Sequence, residues 1–72
     1  MIIDKIIAYE NGELTDLETV SLFSELIKSG TIRGLQGHYH RKAQHLVDLG
    51  VLSSNGDIHF REFVRMQVYG GA

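Results

Sequence analysis

The stretch TDLETVSLFSELIKSGTIRGLQGHYHRKAQHLVDLG, residues 15–50, decides the fold class. Its first four residues have the form of a capping box. Thr15 is placed to accept from the backbone N–H near Glu18, and the Glu18 side chain to return to the cap. The helix this predicts runs to Ser29, with Leu17, Val20, Phe23, Leu26 and Ile27 inward and Gly30 as a left-handed stop. Leu22 widens the apolar face, which makes this helix the centre of the core. A third helix is expected from Thr31 as cap to Gly50 as stop, with Ile32, Leu35, Tyr39, Ala43 and Leu46 on one stripe. The opposite face then collects Arg33, Gly34, Gly37, His40, Arg41, Gln44 and Asp48. Two glycines inside a helix cost about 0.5–1 kcal/mol each relative to alanine, so their presence on this cationic face asks for a reason.

Working outward, Ile2, Ile3, Ile6 and Ile7 stand three and four apart, which predicts a short first helix over residues 2–10 that Asn11-Gly12 breaks. On the other side, Asn55-Gly56 sits where a two-residue hairpin wants it, with Val51, Ile58 and Phe60 on one face. Asp57 can equally cap a fourth helix over about residues 58–68, with Phe60, Phe63, Val64 and Val68 apolar. The helix is the preferred reading, and Gly70-Gly71 is expected to be a frayed end. The fold expected is mainly α: one compact domain over residues 1–72, a bundle of three to four short helices, with a short β-hairpin near residues 51–60 as the competing form of the tail.

Composition narrows the function classes. Hydrophobic content of 43% with 22% charged residues is that of a globular chain, which argues against wholesale disorder. A chain of 72 residues without cysteine buries only a little over ~60% of its unfolded surface, has no disulfide or dense Cys/His array to staple it, and gains most from self-association. The formal net charge of −2 speaks against a generic nucleic-acid coat. No apolar run reaches the ~20 residues of a membrane span, and the N-terminal stretch carries charges where a signal peptide needs a continuous apolar core. A soluble, cytoplasmic protein is expected, with no membrane partner.

Chemistry-bearing residues are few. The four histidines lack the i, i+4 spacing of helical zinc ligands, so no metal site and no cofactor is expected. The serines lie in no nucleophile motif, and the acids Glu10, Glu13, Asp16 and Glu18 suit a helix N-terminus better than a catalytic pair; the chain is read as a non-enzyme. The Arg/His/Gly face remains. Gly34 and Gly37 bare the backbone to close approach, while Arg33, Arg41 and Lys42 supply donors for anionic oxygens. The bland alternative is a packing face for a second copy. A helix-turn-helix is the rival, with the second helix, a short turn Ser29-Gly30-Thr31, and Arg33, Gln36 and His38 as base readers.

At IIDKIIAYENGEL, LFSELIKSG and LQGHYHRKAQHLVDLGVL the sequence resembles a family of very small, functionally uncharacterised proteins of tailed bacteriophages, in which a stretch similar to Leu-Gln-Gly-His-Tyr-Gly-Arg follows the second helix. Leu35, Gln36, Gly37, His38, Tyr39 and Arg41 carry the likeness, and His40 stands where that stretch has glycine. The resemblance spans about residues 2–52. It implies a binding protein in the cytoplasm of an infected bacterial host. The expectation is a homo-oligomer that sequesters a phosphorylated nucleotide-type ligand used as a host immune signal. Arg33 and Arg41 would meet phosphate, Gln36 and His38 base or ribose, and Gly34 and Gly37 would give access; Tyr39 could stack, but its place in the apolar stripe favours a core or interface role. A DNA-binding regulator or an inhibitor of a host protein are the alternatives.

Overall fold

The computed structural model describes residues 2–65. Four α-helices follow one another: α1, Ile2–Glu10; α2, Asp16–Ser29; α3, Gly37–Asp48; and α4, Phe60–Arg65. A 3-10 turn, Thr31–Gly34, stands between α2 and α3. Among the described residues there is no strand, and the fold is the mainly helical one expected.

Helix α2 is closed at both ends. The Glu18 N–H donates to Thr15 Oγ1 at 3.2 Å, and the Thr15 N–H donates to Glu18 Oε1 at 2.8 Å. These reciprocal bonds satisfy donors that the first turn leaves open, and the Thr15 amide holds the Glu18 carboxyl below its usual range. At the other end Gly30 takes φ +79° and its N–H bonds Ile27 O at 3.1 Å, a left-handed stop that glycine adopts without a Cβ clash. Thr15→Ala is expected to lower unfolding free energy by about 1 kcal/mol, read by urea denaturation.

The core gathers around α2, which contributes Val20, Leu22, Phe23 and Leu26; Tyr39, Ala43 and Leu46 come from α3, and Val51 and Leu52 from the segment after it. Helix α1 lays Ile2, Ile6 and Tyr9 on this cluster. Leu17, expected inward, is 44% exposed at the start of α2, where it borders an open pocket with Lys5 of α1 and Leu14.

The expected third helix begins later than its cap signal suggested. Thr31 opens only the 3-10 turn; Leu35 (φ −95°, ψ 164°) and Gln36 (φ −63°, ψ 160°) are extended, and α3 starts at Gly37. Ile32 and Leu35 still pack against the core, because a spacing of three serves a 3-10 turn as well as an α-helix. The glycines therefore do not lie inside a helix: Gly34 ends the turn and Gly37 opens α3.

The preferred helix forms, and the competing hairpin is reduced to an isolated bridge that closes a longer loop. Leu52 and Ile58 form an isolated antiparallel bridge, flanked by Ser53 N–H to Asp57 O at 2.8 Å and His59 N–H to Val51 O at 2.9 Å. Asn55-Gly56 lies in the turn, with Gly56 at φ +96°. Helix α4 follows over the part of the expected fourth helix that is described; Val68 and Gly70-Gly71 lie outside the described residues. Phe63 packs on the core, whereas Phe60 and Val64, both expected inward, are each 59% exposed.

Candidate functional site

The seven residues expected to bind ligand do not all share one surface. Arg33 is exposed on the 3-10 turn, its guanidinium carbon 3.9 Å from where a Cβ on Gly30 would stand. It is thereby drawn over the C-terminal end of α2, where a cation meets the negative end of the helix dipole. Gly34 is exposed, and a Cβ there would meet nothing within 4 Å. Neither it nor Gly37 has positive φ.

At the start of α3 the side chain of Gln36 makes no capping bond. The first amides of a helix have no acceptor within it, so those of Gly37 and His38 are left to an outside partner. Arg41, one turn on, places Nη1 3.3 Å from the Cβ position of Gly37. Glycine at 37 thus seats the Arg41 guanidinium against the backbone at this uncapped entrance. Neither Arg33 nor Arg41 takes part in an ion pair among the described residues. The combination of open amides, helix dipole and planar guanidinium is suited to an anionic oxygen group.

Tyr39 takes the core role that its stripe favours and not the stacking role of a ligand residue. It is 2% exposed, and its ring lies 5.8 Å from that of Tyr9 and 6.1 Å from that of Phe23. Its hydroxyl donates to the Glu10 carboxylate of α1. Burial first, and then this carboxylate, push the phenol up to about 12. A ring so enclosed serves the core and is not presented for stacking. His38 is exposed and lies against it, centroids 4.3 Å apart, so the surface ring at this place is an imidazole backed by a buried phenol.

A second feature escaped the sequence reading. Between α2, α3 and α4 runs an open groove of about 200 Å³, edged by Lys42 and His45 on one side and by Asp16 and Thr19 on the other. Lys42, His45 and Leu49 recur at spacings of three and four, the mark of one flank of α3, so half of the groove was legible. The half supplied by α2 and α4 depends on tertiary packing. Among the described residues no three His, Cys, Asp or Glu side chains converge for a metal ion, and no helix is long and apolar enough to cross a membrane.

The seven residues Gly30 to Gln36 separate α2 from α3, about twice the three or four of a helix-turn-helix connection. The arrangement is that of a small α-helical domain with a cationic, uncapped helix entrance. The chain belongs to the family described as "Domain of unknown function (DUF7417)", whose model matches residues 1–67. No curated protein and no solved structure matches it.

Proposed function

We propose that this chain is a non-enzymatic phage protein of the infected bacterial cytoplasm that self-associates and sequesters a phosphorylated nucleotide-type ligand, such as a host immune signal. The phage setting rests on the sequence resemblance described above. The observation that carries the ligand reading is the Arg41 guanidinium seated over Gly37 at the uncapped start of α3. There the amides of Gly37 and His38 and the Arg41 fork meet one phosphate, with Arg33 as a second cation on the neighbouring turn. Gln36 and His38 supply polar atoms for base or ribose, and Gly34 leaves the approach open. Tyr39 contributes from behind, by holding the His38 ring.

Calorimetric titration of the purified protein with a panel of cyclic nucleotides and ADP-ribose derivatives tests this. At least one member of the panel should give saturable heat. Arg41→Ala should then weaken it tenfold or more, a loss of about 1.4 kcal/mol, with stability changed by no more than about 0.5 kcal/mol because the side chain is on the surface. No heat with any member, together with salt-sensitive retardation of duplex DNA, would overturn the ligand reading in favour of the DNA-binding regulator.

A further inference from the structure

Both asparagines of the chain stand directly before a glycine, in Asn11-Gly12 and Asn55-Gly56. In such a pair the missing Cβ lets the glycine backbone nitrogen approach the asparagine side chain. The nitrogen attacks Cγ, Nδ2 departs as ammonia with the proton that the backbone nitrogen gives up, and a five-membered succinimide closes. Water, the sole co-reactant, then opens the ring. Cleavage between the nitrogen and Cγ leaves aspartate, and cleavage between the nitrogen and the main-chain carbonyl carbon leaves isoaspartate. The two pairs share this local chemistry, and in each the glycine N–H donates to the carbonyl three residues back, Tyr9 O and Ser53 O, at 3.0 Å. Their surroundings differ.

We infer that Asn11 is a site of spontaneous deamidation in the folded protein, and that the fold holds Asn55 back from the same reaction. Attack needs the carboxamide to swing onto the next nitrogen and the peptide plane between the two residues to turn. At Asn11 these motions break only the turn bonds at the end of a surface helix. Asn11 and Gly12 are exposed, and a Cβ on Gly12 would meet nothing within 4 Å. Helix α1 has no fully buried residue, so its end opens at little free energy. Asn55 is exposed too, but its Oδ1 accepts from the Ser53 hydroxyl, which turns the carboxamide back toward residue 53. Gly56 is buried, its carbonyl accepts from the Ser24 hydroxyl of α2 at 2.5 Å, and Ser24 O and Ile27 Cβ close the space around it. Turning the peptide between 55 and 56 therefore requires the loop to leave α2. Conversion there follows the population of that open form. At Asn11 the product sets a carboxylate beside Glu10 at the negative end of the α1 dipole, and isoaspartate adds a methylene to the backbone. Glu10 holds the Tyr39 hydroxyl, so the modified chain ties α1 to α3 less firmly. The inference is independent of the ligand reading.

Incubation of the full chain at body temperature and mildly alkaline pH, followed by digestion and mass spectrometry, tests it. Cleavage after lysine and arginine puts the two asparagines in separate peptides. The peptide with Asn11 should gain about one dalton at least about fivefold faster than the peptide with Asn55. In denaturing urea the two rates should converge. Ser24→Ala removes the hydroxyl that clamps Gly56, and should raise the Asn55 rate about threefold or more while leaving Asn11 unchanged. Asn11→Gln, whose side chain would have to close a larger ring, should abolish the early gain. Equal rates in the folded chain, a faster Asn55, or a folded chain that converts neither site while urea converts both would overturn the inference. An Asn55 rate unmoved by Ser24→Ala in a folded variant would overturn the guarding role of α2, and should that variant not fold, the comparison of native with urea-unfolded wild type decides the same point.

Discussion

Gly56→Ala is expected to destabilise the protein by about 3 kcal/mol, the sum of a left-handed backbone strain of about 1–2 kcal/mol and an overpacking penalty of similar size. Gly56 is buried with φ +96°, and a Cβ there would stand 2.8 Å from Lys28 Cγ, 3.0 Å from Ser24 O and 3.3 Å from Ile27 Cβ. The neighbours cannot all retreat, because Ser24 O belongs to the backbone of α2. The Ser24 hydroxyl also donates to Gly56 O at 2.5 Å, so displacing the loop strands a buried polar pair. In a domain of this size each kcal/mol moves the melting temperature by about 4–8 °C, and a thermal melt followed by circular dichroism should fall by on the order of 15 °C. Gly34→Ala is the matched comparison. With open space around it and no positive φ, alanine there should be neutral or stabilise slightly by restricting the unfolded chain. Equal melting temperatures for the two variants would show that the loop does not bear on α2 as described.

Tyr39→Phe is expected to remove about 2 kcal/mol, the worth of a hydrogen bond to a charged acceptor. Its ring would stay in place against Tyr9 and Phe23 while the tie from α3 to the end of α1 is lost. The pH dependence identifies the cause. The Tyr39 phenol ionises near 12 in the folded protein against about 10 in an unfolded chain, so folding favours the protonated form. Its contribution is therefore complete below about pH 10 and is lost as pH rises from there toward 12. Urea denaturation from neutral pH to about pH 11 should show this alkaline decline in the wild type and a shallower one in Tyr39→Phe. Tyr9, raised in the same direction by burial and by Glu10, keeps part of it. An unaltered decline in the variant would place the titration elsewhere.

Helices α1 and α2 were legible because their signals are local: isoleucines at helical spacing, a capping box, and a glycine where the chain must turn left-handed. The third helix was legible in its buried stripe but not in its start. Ile32 and Leu35 satisfy the helical period whether the backbone is α or 3-10, so periodicity could not separate the two. The glycines were the better signal. Placing both inside a helix would cost about 1–2 kcal/mol, and the chain avoids this by breaking between Thr31 and Gly37. The tail held two competing local patterns, of which the chain develops the helix, α4, and keeps of the hairpin only an isolated bridge at Leu52 and Ile58. The turn at Gly56 was readable from Asn55-Gly56, but its tight packing was not, since that depends on Ser24 and Ile27 across 32 and 29 positions of sequence. Of the candidate site, the exposure of Arg33, Gly34, Gly37 and Arg41 followed from the helical wheel. The burial of Tyr39 follows from the same wheel, on which it shares a stripe with Ala43 and Leu46.

The ring cluster has a practical side. The chain contains no tryptophan and three tyrosines, and two of these, Tyr9 and Tyr39, adjoin Phe23 at 5.4 and 6.1 Å in the interior. Near-ultraviolet dichroism depends on such fixed asymmetric surroundings and fades when packing loosens, even while helical backbone persists. The molecule thus carries a label-free optical gauge of its own interior, and a loosened but still helical form would be told from the native one by comparing the two spectral regions.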